Sequence, residues 1–229
     1  IETIFVPLYL KKMWPIKNNI SLFYKMICAT GYLLVGFTAA FQLGEFNRYA
    51  MLMLTAFACS WLGDLFLHIP TPQKILFILG MFFFMAAHIL FCLSYFAAQR
   101  QISADIPIFT GAQIGIALAL VTVFFGISHI KGVRFGIIMI PGIFYALFVT
   151  MMMIKSTALG ITLLCADSSL YLIPAILLFA GGSCFVMSDT TLALIMFDTR
   201  FKKFKLKVFN IITYFAAQLC LAMTLFFVN

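Results

Sequence analysis

Apolar residues run along this chain in seven long blocks broken by short polar stretches. The blocks fall at about 21–42, 49–69, 75–97, 107–128, 134–155, 171–198 and 207–228. Each holds roughly the 20 residues that carry an α-helix across a ~30 Å hydrocarbon layer. A transmembrane barrel would instead alternate apolar and polar residues over about ten positions. Backbone polar groups in lipid must be satisfied within the spanning element, so continuous blocks predict helices. A further apolar piece at 157–166 is too short to cross alone. It could extend the fifth span, re-enter the membrane or lie at the interface. The links are short, which predicts one antiparallel bundle and a single domain over 1–229. The fold class is therefore all-α, a polytopic transmembrane helix bundle with seven visible spans.

Composition narrows this further. Hydrophobic residues make up 64% of the chain and charged residues 10%, with a mean hydropathy of +1.12. Soluble domains carry about 25% charged residues, so a soluble enzyme is excluded. The cysteines Cys28, Cys59, Cys92, Cys165, Cys184 and Cys220 form no CxxC pair and read as small buried hydrophobes.

The net charge of +8 reports orientation here rather than a nucleic-acid partner. With seven spans, Lys11, Lys12, Lys17, Lys25, Lys74, Lys131, Arg134, Arg200, Lys202, Lys203, Lys205 and Lys207 share the N-terminal side. Arg48, Arg100 and Lys155 take the other. Cytoplasmic loops collect Lys and Arg, so the N-terminus is expected inside. A full span at 157–166 would erase this bias. An eighth span could precede residue 1. The stretch 1–17, with Lys11, Lys12, Trp14 and Pro15, reads as interfacial. The expected host is a bacterial inner membrane, with the endoplasmic reticulum as the alternative.

An ionisable group within a span costs roughly 2.5–3.5 kcal/mol on insertion scales, so each such residue is a functional candidate. Asp64 lies ~8 Å from the inner end of span 2, and Ser60, Asp64 and His68 repeat along one helical face. Asp189, next to Ser188, lies ~14 Å from the inner end of span 6 with no neutralising neighbour in sequence. His88 sits midway along span 3, and Lys25 opens span 1 as a snorkelling lysine or a phosphate ligand. Tyr145, Tyr214 and Gln218 are polar groups inside apolar helices. With the predicted orientation, one cavity open to the cytoplasmic leaflet could collect them. His68 and His129 lie near span ends, where headgroup-level positions are expected. The histidines fall on different segments, and no P-loop, Rossmann glycine pattern, GxSxG or HExxH occurs. No metal or cofactor is expected. The loop residues Lys131 and Arg134 and the cluster 200–207 read as positive-inside determinants.

Four patches in order resemble the YhhN family of integral membrane proteins, the lysoplasmalogenases. They are Ser60 with Gly63 and Asp64, the helix from Gly80 through Phe84 to Ala87 and His88, Ser188 with Asp189, and Tyr214 with Ala217 and Gln218. Lys25 resembles the family's first-span lysine, with Met26 where a proline often follows. The resemblance implies eight spans and hydrolysis of the vinyl ether bond of lysoplasmalogens. The products would be a fatty aldehyde and glycerophosphoethanolamine or glycerophosphocholine.

Vinyl ethers break down when the β-carbon is protonated and water adds to the resulting oxocarbenium ion. That chemistry needs a protonated carboxyl group and a second carboxylate, as in glycoside hydrolysis. Asp189 is the expected acid and Asp64 the cation-stabilising, water-activating partner, with a swap of roles open. Ser60, His88, Tyr145, Ser188, Tyr214 and Gln218 are expected around the polar end of the substrate, and Lys25 on its phosphate. The expected partners are a lysoplasmalogen or another lysophospholipid and membrane lipids, with oligomeric state open. The competing readings are a proton-coupled transporter, hinted at by Pro141, Gly142 and Pro174, and a non-catalytic lipid-binding protein.

Overall fold

The structure, a computed structural model, describes residues 2–14, 17–42, 46–71 and 73–228. Eight α-helices and no strand occur among them. They are α1 (Glu2–Met13), α2 (Asn19–Gln42), α3 (Arg48–His68), α4 (Lys74–Ile102), α5 (Gly111–Ile130), α6 (Met139–Ala166), α7 (Ser168–Phe197) and α8 (Phe204–Thr224). Helices α2 to α8 are each long and apolar enough to cross a membrane. The chain is a multi-pass membrane protein by that measure. With 12 residues, α1 is only about 18 Å long and falls short of a crossing. It packs on α2, burying Tyr9 and Met13 while Lys11 and Lys12 stay exposed. Trp14 lies edge-on to Phe204, and Pro15 lies outside the described residues.

The fifth span differs from its expected limits. The piece at 157–166 continues α6, and the span covers 139–166 rather than 134–155. Lys155 is therefore not a loop charge. It is 1% exposed, and its ammonium lies 5.2 Å from the Phe96 ring centroid and 5.7 Å from that of Phe109. Aromatic faces attract a cation, which lets the helix run on through a charge. Ser156 and Thr157 bond back to the Met153 carbonyl, so they add no unsatisfied groups. The reversal before α6 uses Gly132 and Gly136, both at positive φ.

Helices α3, α5 and α7 each begin with a side-chain cap, from Asn47, Thr110 and Asp167. Asp167 is held below the usual carboxylate range by the Ser169 hydroxyl and the backbone N–H groups it caps. At the opposite, basic end Arg200 grips Asp198 and donates to the Lys131 carbonyl, joining two loops. Its guanidinium holds Asp198 below the usual carboxylate range.

Helices α2, α3, α4, α6, α7 and α8 pack in that order into a closed ring, with α8 returning to α2. Helix α5 lies outside, against α6, and buries only Ala117, Val121 and Ser128. Small residues set the close contacts. A methyl on Gly63 would lie 2.6 Å from Phe84, and one on Gly181 would lie 2.6 Å from Leu221. A methyl on Gly182 would collide with the Ser156 hydroxyl and press on the Met153 backbone. Helix α6 takes Pro141 in its first turn, where proline is tolerated, and α7 continues through Pro174, which lies inside the helix.

Gly181→Ala and Gly182→Ala should each lower the melting temperature of the detergent-solubilised protein, since overpacking costs about 1–3 kcal/mol. Gly115→Ala on α5 meets nothing within 4 Å. It should leave the melting temperature unchanged or raise it, alanine being the better helix former by about 1 kcal/mol. Differential scanning fluorimetry of the three variants checks both directions.

Candidate functional site

Two polar knots sit inside the ring, each built by three consecutive helices. The first joins α2, α3 and α8. Lys25 Nζ lies 2.8 Å from Asp64 Oδ1. The Tyr214 hydroxyl donates to Asp64 Oδ2 at 2.6 Å, and Tyr32 donates to the same oxygen at 3.4 Å. Gln218, one turn beyond Tyr214, donates to the Tyr214 hydroxyl at 3.0 Å. Asp64 is 1% exposed. A carboxylate offers about four acceptor sites. Lys25, Tyr214 and Tyr32 already take most of them, so Asp64 is fixed in place and has a charge partner.

The second knot joins α4, α6 and α7. The Tyr145 hydroxyl donates to Asp189 Oδ2 at 2.8 Å. His88 Nε2 lies 3.4 Å from that oxygen and 3.3 Å from the Tyr145 hydroxyl. The imidazole is fully buried between Tyr145 and Phe185, and its Nδ1 has no partner among the described residues. Asp189 keeps a side-chain exposure of 10%. Among the described residues nothing bonds to its Oδ1, so this carboxyl is held from one side and open on the other.

Both aspartates open onto one chamber at the basic end. This polar chamber has a volume of about 90 Å³ and includes Lys17, Lys25, Lys207 and His68 in its wall. A second chamber, about 300 Å³ and almost wholly apolar, lies between α4, α5, α6 and α7. Phe124, Phe125, Val149 and Met153 are among its walls. The two chambers share Leu67, Phe77, Phe84, Tyr145, Asp189, Leu192 and Met196. Asp189 and Tyr145 are thus the polar groups at the junction between a charged space and a greasy one.

The expected site residues divide into three groups. Asp64, Asp189, Lys25, Tyr145, Ser188 and Tyr214 line the polar chamber. His88 and Gln218 stand behind that wall, each bonded to a tyrosine that lines it. Ser60 is not brought to the chamber. It is fully buried with an unpartnered hydroxyl, one helical turn beyond Asp64 and away from the basic end. Ser188 lines the chamber, but its hydroxyl donates to the Asn210 carbonyl and accepts from Asn210 Nδ2. It clasps α7 to α8 rather than facing a ligand freely.

Three expectations about the basic groups are corrected. Lys25 is neither snorkelling nor free for a phosphate, because Asp64 takes its charge. His68, at the end of α3, does not face out of the bundle. It is 2% exposed, held by Ser21 at Nε2 (3.0 Å) and by Tyr9 at Nδ1 (3.4 Å). Lys207, read as a loop charge, lines the chamber with Asn210 beneath it. His129 is exposed.

Sequence reasoning missed Lys17, Tyr32, Lys207 and Asn210. A signal for the α8 pair was present: Lys207, Asn210, Tyr214 and Gln218 share one helical face. Lys17 carried none, since it sits in the link between α1 and α2 and reaches the Leu67 carbonyl on α3. Among the described residues no three His, Cys, Asp or Glu side chains gather as a metal site would require.

No curated protein and no solved structure matches the chain. A family model described as the YhhN family matches residues 22–225. Both polar knots and both chambers fall within that span, apart from the contributions of α1 and Lys17. A match over most of the chain shows that it belongs to the YhhN family.

Proposed function

We propose that this protein hydrolyses the vinyl ether bond of lysoplasmalogens, releasing a fatty aldehyde and the glycerophospho-alcohol. The observation that carries the reading is the junction of the two chambers at Asp189 and Tyr145. A single-chain phospholipid has the same two parts: an alkenyl chain for the apolar chamber and a phosphate end for the polar one. Its vinyl ether lies where they join, beside Asp189.

Asp189 is the general acid. Tyr145 donates to Oδ2, which leaves Oδ1 to carry the proton. That proton passes to the β-carbon of the vinyl ether, and the π electrons form the new C–H bond. The positive charge spreads over the α-carbon and the ether oxygen. The fixed Asp64 carboxylate lowers the energy of that cation by its negative charge. Water then adds to the α-carbon and gives a proton back to Asp189. The hemiacetal loses its hydroxyl proton, the ether oxygen gains one, and the C–O bond breaks to aldehyde and alcohol.

Asp64 is a poorer water activator than Asp189, because Lys25, Tyr214 and Tyr32 already occupy it. His88 and Gln218 hold the two tyrosines in place. The unbroken α6 and α7 favour this reading over a transporter, which would use discontinuous helices near the midplane. The basic end faces the cytoplasm of a bacterial inner membrane in this proposal, following the positive-inside bias.

Asp189→Asn should lower aldehyde release from purified protein by roughly 10²–10⁴-fold, the usual weight of a general acid, without moving the melting temperature. Turnover near wild type would remove Asp189 from the proposal.

Asp64→Asn should also abolish turnover, and it leaves the partly buried Lys25 ammonium without its charge partner. Stability should fall by about 3–5 kcal/mol. The double variant Lys25→Met/Asp64→Leu should regain most of that stability and none of the activity. Parallel unfolding and aldehyde assays separate the two effects.

Gly142 lines the apolar chamber, and a methyl added there would meet only Phe125 among the described residues, at 4.0 Å. Gly142→Leu should therefore raise KM for long-chain alkenyl substrates several-fold more than for short-chain ones. Steady-state kinetics over a chain-length series measures the difference.

A further inference from the structure

The polar chamber contains three ammonium groups, and they are not equivalent. Lys25 is spent on Asp64 at 2.8 Å. The other two make only neutral contacts. Lys17 Nζ donates to the Leu67 carbonyl at 2.7 Å, and Lys207 Nζ donates to Asn210 Oδ1 at 3.0 Å. Neither forms an ion pair with a carboxylate among the described residues. Each ammonium has three N–H donors, so each keeps two to offer. With Lys25 paired to Asp64, Lys17 and Lys207 are the chamber's two lysines without a carboxylate partner among the described residues.

We infer that Lys17 and Lys207 are the phosphate ligands of a single-chain phospholipid, clamping its headgroup from two sides while Lys25 takes no direct part. The inference deepens the proposed function and rests on it for the identity of the ligand. The two lysines reach the chamber from different elements. Lys17 comes from the link between α1 and α2, and Lys207 from the first turn of α8. Both are pre-positioned. The α3 carbonyl end holds Lys17, and Asn210 holds Lys207 while being fixed itself by two bonds to Ser188 at 2.9 and 3.0 Å. A phosphate entering between them gains charge-assisted hydrogen bonds from donors whose side-chain entropy is already reduced. Among the described residues the carboxyl groups lining the same space are Asp64, paired with Lys25, and Asp189, held by Tyr145, so the clamp reads the phosphate rather than the alcohol attached to it.

The test measures binding and needs no turnover. Purified protein in a non-ionic detergent is titrated with palmitoyl lysophosphatidylethanolamine, which has an ester and no vinyl ether. Monopalmitoylglycerol has the same chain without phosphate, and glycerophosphoethanolamine has the phosphate without a chain. Thermal shift against concentration gives the affinity of each. Wild type should bind the lysophospholipid at least tenfold more tightly than the monoglyceride. Lys17→Met and Lys207→Met should each weaken the lysophospholipid by about tenfold, the scale of one hydrogen bond to a charged group. Both should leave the monoglyceride unchanged, and Lys207→Arg should restore most of the loss. Lys74→Met, at the same end but outside both chambers, should behave as wild type.

The clamp is overturned if both variants bind the lysophospholipid like wild type, or if they weaken it and the monoglyceride alike. If glycerophosphoethanolamine or inorganic phosphate binds as tightly as the lysophospholipid, the site serves free phosphate and the lipid assignment fails. Failure of wild type to cleave a lysoplasmalogen would sink the proposed reaction instead, and would not touch these binding results.

Discussion

A lysine and an aspartate held 2.8 Å apart inside an apolar bundle set the terms for the rest of this molecule. Either charge alone would cost roughly 2.5–3.5 kcal/mol within a membrane span. Together, with Tyr214 and Tyr32 donating to the same carboxylate, they are compensated. The pair also has a topological effect. Lys25 and Tyr32 belong to α2, Asp64 to α3, and Tyr214 and Gln218 to α8, the three helices where the ring of six closes on itself. Van der Waals packing between helices has no hydrophobic drive in lipid. A polar knot at the point of closure supplies a directional attraction that leucine and phenylalanine cannot.

The second knot completes this plan. His88, Tyr145 and Asp189 come from α4, α6 and α7, so every helix of the ring gives a polar group to one knot or the other. The two differ in a way that matters for chemistry. Asp64 is surrounded by donors and faces the Lys25 ammonium. Asp189 is gripped at one oxygen only and looks into both chambers. One is suited to shaping the electric field and the other to exchanging a proton.

Much of this was legible in the sequence, for a physical reason. Ionisable groups in apolar runs are rare because they are expensive, so Asp64, Asp189, Lys25 and His88 stood out against a nearly silent background. What stayed hidden was pairing. Lys25 and Asp64 are 39 positions apart in number (64 − 25), and helical periodicity predicts a face but never which neighbouring helix meets it. It also predicts no depth, which is why Ser60 shared a face with Asp64 and still missed the chamber. Lys155 misled the boundary of the fifth span because a charge usually ends a membrane helix, and here two aromatic rings shelter it. Lys17 and Lys207 were concealed by company. Basic residues at the ends of spans are expected for orientation alone, so two that turn inward look like all the others.

Helix α5 stands apart from the ring yet walls the apolar chamber through Leu120, Val121, Phe124 and Phe125. It contributes to neither knot and buries few side chains. One wall of the apolar chamber is thereby carried by a helix outside the ring, while α4, α6 and α7 supply the others. Drift in α5 can reshape the greasy chamber while the six inner helices, and the proton chemistry they frame, stay as they are. In mechanical terms the bundle has a closed frame and one side panel, and the panel can move or change against α6 without opening the frame.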